Sequence, residues 1–122
     1  MRRGARLAAV CKIQDPDVLR RAIFNDAGID SASPLIGSLE TGHLTLDYLN
    51  ESGAKVVNPG DTGFSSIRYV RLSINDPLNS KKFTFNLLIP GFGGVFTLPT
   101  FSSTIPRESL GHDGATEVPT QC

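Results

Sequence analysis

Apolar positions along this chain change their period once. Between Asp15 and Asn25, Val18, Ala22 and the Leu19/Ile23 pair recur at helical spacing. Asp15 can cap that helix, Pro16 suits its first position and Asp17 its positive end, while Asn25 and Gly28 supply the stop. A helix over about 15–26 is therefore predicted. Residues 4–12, GARLAAVCK, permit a helix too, but so short a piece is marginal alone. It reads as the end of a longer helix or as one held by tertiary contacts.

Ser31 to Thr41 is rich in Ser, Gly and Pro and reads as a loop, after which the period becomes two. In His43–Asn50, Leu44, Leu46 and Tyr48 share one face, with Thr45 and Asp47 opposite. Asn58 to Gly63, NPGDTG, is turn chemistry within a long connection. Ile67–Asn75 then sets Val70, Leu72 and Ile74 against Tyr69, Arg71 and Ser73. In Phe83–Ile89, Phe83, Phe85, Leu87 and Ile89 form the apolar face, predicted to be core. Pro90 to Gly94 reads as a turn, and Val95–Ile105 as a further strand, so the two form a hairpin. Pro99 has no amide donor and predicts an edge position or a bulge there.

Helices followed by about four mostly antiparallel strands predict an α+β fold in one domain. Its core hairpin, FTFNLLIPGFGGVFTLP, is the most apolar stretch of the chain. Asn86, the Pro/Gly break and the two-residue period all argue against its crossing a bilayer, and no run of 18 apolar residues occurs anywhere. The apolar run Leu7–Cys11 is too short for a signal-peptide core.

Composition adds two points. The 122 residues carry no net charge, so general attraction to nucleic acid is not expected. The charge is unevenly spread, however. Residues 1–21 hold Arg2, Arg3, Arg6, Lys12, Arg20 and Arg21 against Asp15 and Asp17. Such a basic start reads as a solvated helix end or as a face for anionic lipid headgroups. The two cysteines, Cys11 and Cys122, permit one disulfide between the chain ends, or two free thiols. A bridge over a loop of this size would contribute about 4–5 kcal/mol and imply an oxidising compartment.

Little in the chain suggests catalysis. Ser109 and His112 are a conceivable nucleophile and base, but no strained elbow surrounds the serine and the segment reads as the start of a tail, 112–122. His43 and Asp47 share a strand face, yet two ligands do not make a metal site. Gly91-Phe92-Gly93-Gly94 lacks the third spaced glycine of a dinucleotide fingerprint, because Phe96 stands there. Asn50-Glu51-Ser52 matches a glycosylation sequon, a pattern common by chance. Arg107 and Glu108 could pair with each other or with a helix end. No catalytic residue, cofactor or metal ligand is assigned.

Two stretches carry a family resemblance. Gly4–Asn25, GARLAAVCKIQDPDVLRRAIFN, resembles the segment following the membrane helix in TadE-like proteins, minor pilin-like components of tight-adherence (Flp type IVb) pili. In that family a G-A-R-x-A-A motif closes the long N-terminal helix and a short helix follows. FTFNLLIPGFGGVFTLPTFSSTIPRESLG resembles the family's C-terminal strand, Pro/Gly turn, apolar strand and Pro-Arg/Met-Glu-Ser close; YVRLSI fits its middle strand. Together the matches cover about half the chain.

The resemblance implies a pilin-like α+β domain facing the periplasm, anchored in the inner membrane by an N-terminal helix. It implies a non-enzymatic role in pilus assembly and surface adhesion, with other pilins and pilus-assembly proteins as partners, and neither nucleic acid nor a small-molecule substrate. The family's membrane helix and processing site are not in this sequence, so Met1 is expected to begin a soluble fragment with residues 1–12 as the end of the truncated helix. Family members often carry one cysteine after the helix and another near the C-terminus, which implies a Cys11–Cys122 disulfide. The competing class is a periplasmic or extracellular module that binds carbohydrate or peptide through the loops at 31–41 and 51–66.

Overall fold

The computed structural model describes residues 1–25, 32, 33, 35, 39–86, 95–112, 119 and 122, and of 85, 86 and 95–97 the backbone alone. Helices α1 (Arg2–Val10) and α2 (Pro16–Ala22) come first. Strands β1 (Leu44–Leu49), β2 (Tyr69–Ile74), β3 (Thr84–Asn86), β4 (Val95–Thr97) and β5 (Phe101–Pro106) follow. The fold is a small α+β one, as the pattern predicts. The expectation of one sheet of about four strands needs correction. β1, β2 and β5 form a three-stranded antiparallel sheet in that order, and among the described residues β3 and β4 pair as a separate two-stranded sheet.

Pro99 explains the division. The expected strand from Val95 to Ile105 is split there, because a residue without an amide proton cannot continue a ladder. The chain on both sides of Pro99 is instead tied to the end of β2. Asn75 Nδ2 donates to the Leu98 carbonyl at 2.9 Å, and the Thr100 hydroxyl donates to the Asn75 carbonyl at 2.7 Å. β4 and β5 thus belong to different sheets although two residues of the same segment flank the proline. Of the predicted hairpin, Phe83 is buried and the β3–β4 ladder is present. Leu87, Ile89, the turn at Pro90–Gly94 and the side chain of Phe85 lie outside the described residues.

The two faces of the larger sheet follow the two-residue alternation. Leu46 opposes Leu72 and Tyr48 opposes Val70, which opposes Ile105; on the other face Thr45, Ser73 and Ser102 align, as do Asp47, Arg71 and Thr104. α1 lies on the apolar face through Gly4, Ala5, Ala8 and Ala9, all buried. Small residues let its backbone come close. A Cβ on Gly4 would stand 2.6 Å from the Ala22 Cβ and would also collide with the Leu72 side chain, so glycine sets the α1–α2–β2 spacing. The core forms two neighbouring clusters, one around Ile23, Leu72, Ile74 and Phe83, the other around Cys11, Val18, Ile67 and Val70.

α2 begins as predicted: the Asp15 carboxylate accepts the Asp17 amide at 3.0 Å and Pro16 occupies the first turn. It stops at Ala22, short of the expected 26. The Asn25 amide donates to the Arg20 carbonyl at 3.0 Å and that of Phe24 to Arg21 at 3.2 Å, with Phe24 left-handed at φ +64°. This is the double bond of a Schellman stop, with phenylalanine where glycine is usual. Gly28 lies outside the described residues. The loop after it is pinned where it is described. The Ser33 hydroxyl donates to the Ile23 carbonyl at 2.7 Å, and Ala32 bridges Glu40.

Candidate functional site

A helix leaves its last carbonyls without intrahelical partners. At the C-terminal end of α1 they are met by a distant piece of chain. The Ala9 carbonyl accepts from the amides of Leu110 at 2.9 Å and Glu108 at 3.3 Å; that of Val10 accepts from the Gly111 amide at 2.8 Å and the Ser109 hydroxyl at 3.2 Å. The turn that aims these donors needs left-handed residues at Leu110 (φ +49°) and Gly111 (φ +78°). A side chain on Gly111 would come within 2.6 Å of the Lys12 backbone. Leu110 is buried in the core below.

The chain end closes over the same place. Cys11 and Cys122 are joined by a disulfide with their Cα atoms 5.8 Å apart, Cys11 fully buried. Asp15 is shared: Oδ1 caps α2 while Oδ2 accepts the Cys122 amide at 3.0 Å. One buried carboxylate therefore serves a helix N-terminus and the C-terminal residue together. Tyr48 lies beneath, its phenol accepting the Gln14 amide at 2.8 Å, and burial pushes its pKa above the ordinary phenol value.

Beside this clasp Arg107 donates to the carbonyls of Phe64 at 3.2 Å and Ile67 at 3.3 Å, with its guanidinium 5.2 Å from the centre of the Phe64 ring. It turns to the 3₁₀ segment Phe64–Ser66 rather than to Glu108. His112 also meets that ring, in an edge-to-face arrangement with centroids 5.6 Å apart. Lys12, Ile13, Gly60, Phe64, Leu110 and His112 line an open cleft of about 290 Å³. Its lining is mainly apolar and includes Lys12 and His112.

The residues considered for chemistry are occupied in other ways. Ser109 spends its hydroxyl on the Val10 carbonyl and His112 packs on Phe64, so the structure brings them together as parts of a cap. Ser109 belongs to the segment docked on α1, and the His112 amide donates to the Ser109 carbonyl at 2.9 Å. The face shared by His43 and Asp47 is also corrected. His43 precedes β1, in the 3₁₀ turn Thr41–His43, where its Nδ1 accepts the Glu40 amide at 2.9 Å and its ring lies edge-on to Phe83. Asp47, largely buried, pairs with Arg71 at 2.8 Å across the strands and with Lys55 at 3.0 Å. Lys81, hydrogen-bonded to Glu40, holds that carboxyl below the ordinary carboxylate range. Among the described residues no group of three or more His, Cys, Asp or Glu could hold a metal.

The sequon asparagine organises a turn, its Oδ1 accepting from the Ser52 amide and hydroxyl and from the Ala54 amide. Gly91-Phe92-Gly93-Gly94 and, within the 31–41 loop, residues 31, 34 and 36–38 lie outside the described residues. Sequence reasoning missed the capping of α1 by 108–111 and the double role of Asp15. A left-handed turn at Leu110-Gly111 was signalled by the glycine, but its target is a tertiary contact about a hundred residues away in sequence. No helix among the described residues is long and apolar enough to cross a membrane. No family model, curated protein or solved structure matches the chain.

Proposed function

We propose that this chain is the periplasmic domain of a membrane-anchored, minor pilin-like component of a tight-adherence pilus, acting in assembly and surface adhesion without catalysis. The observation that carries the reading is the meeting of the two family-like stretches. GARLAAV forms most of α1, and Arg107–Gly111, which closes the second stretch, caps it through four hydrogen bonds to the Ala9 and Val10 carbonyls. The disulfide fastens the junction. Segments that resemble one family at opposite ends of the sequence thus build one structural unit. Pilins and pilus-assembly proteins are the partners on this reading, and an upstream helix holds the domain at the inner membrane.

Deleting the gene in the bacterium that makes the protein tests this. Electron microscopy should show loss of surface pili, with loss of adherence, and the intact gene should restore both. Unchanged piliation overturns the reading. A carbohydrate- or peptide-binding module is the second reading, favoured by the cleft at Gly60 and Phe64 in the 51–66 loop. Tight binding by the isolated domain in a glycan panel, with piliation unaffected, would select it.

A further inference from the structure

We infer that the outer face of α1, together with Phe24, is a docking surface for an anionic lipid bilayer. At about 100° per residue, Arg2, Arg6, Val10 and Arg3 fall side by side on the face opposite the buried Gly4, Ala5, Ala8 and Ala9. All four are exposed. Arg2 and Arg6 stand four apart, a like-charge spacing that disfavours an isolated helix. The first turn contains no acidic residue to offset them. The face is therefore a concentrated cationic patch on a chain of zero net charge, complementary to phosphate headgroups.

Phe24 is the second, independent observation. It is 46% exposed and sits in the left-handed cap of α2, which glycine would fill without strain. The Arg3 guanidinium lies 5.5 Å from the centre of its ring, which joins the aromatic to the cationic face. Arginines beside an exposed aromatic suit the boundary between headgroups and acyl chains, where the charge meets phosphate and the ring leaves water. A soluble acidic partner would account for the arginines but not for an exposed aromatic held on a left-handed backbone. This inference is independent of the pilus reading, since it concerns only a face of the described domain.

Sedimentation of the whole chain with vesicles tests it. Binding to phosphatidylglycerol/phosphatidylcholine vesicles should exceed binding to phosphatidylcholine alone and weaken as salt rises. The R2Q/R6Q variant should bind about 25-fold more weakly, at about five-fold per charge. F24G should bind more weakly while melting at a higher temperature, the opposite of what a merely structural role for the ring gives. Equal binding to neutral vesicles, or undiminished binding by R2Q/R6Q, overturns the inference. So does binding to soluble poly-glutamate without binding to vesicles, which would point to an acidic protein. Undiminished binding by F24G removes Phe24 from the surface.

Discussion

Asn75 and Gly4 show how much single residues decide. Asn75, left-handed at φ +54°, uses its side chain as a piece of strand: Oδ1 accepts the Phe83 amide at 2.6 Å, while Nδ2 donates to the carbonyls of Phe83 and Leu98. Replacement by glycine keeps the backbone conformation and removes only these bonds. Asn75→Gly should lower stability in urea by about 2–3 kcal/mol; a loss under about 0.5 kcal/mol would place the link between the sheets elsewhere. Gly4→Ala improves helix propensity yet should cost about 1–3 kcal/mol, because the new methyl meets Ala22 and Leu72. Tyr48 gives a pH signature. Its folded pKa is raised, so its contribution is complete below the unfolded phenol value and is lost as pH rises through the alkaline range toward the folded value. Thermal scans at pH 9 and 11 should show a larger drop for the wild type than for Tyr48→Phe.

At the scale of elements, the alternation of β1 and β2 and the Asp15-Pro16 start of α2 were legible because each rests on neighbours in sequence. The same is true of Phe83, just before β3, whose burial follows from its place in the apolar alternation of that segment. What escaped was set by distant partners. Pro99 marked a disturbance, but only the Asn75 bonds to Leu98 and Thr100 turn that disturbance into a change of sheet. His43 carried the right alternation for β1 yet is drawn out of it by the Glu40 amide. α2 ended early for a related reason: its stop uses Phe24, a residue with no sequence signal for a left-handed conformation. Relieving that conformation with Phe24→Gly should stabilise the fold by about 1 kcal/mol, read as a higher urea midpoint with an unchanged slope.

For the molecule as a whole, α1 is too short to be stable alone and is built in from both sides. Its small face rests on β2 and α2, and its carbonyls are met by 108–111. Cysteine count alone left this arrangement open, since two thiols at the chain ends fit either a bridge or a reduced pair. Asp15 ties the same junction from the α2 side, so Asp15→Ala should cost more than the roughly 1 kcal/mol of an ordinary cap. The central claim is that the chain's two ends form one locked unit around the end of α1. Counting thiols in denatured, unreduced protein made in an oxidising compartment tests it directly. The account predicts none, and two free thiols per chain would contradict it.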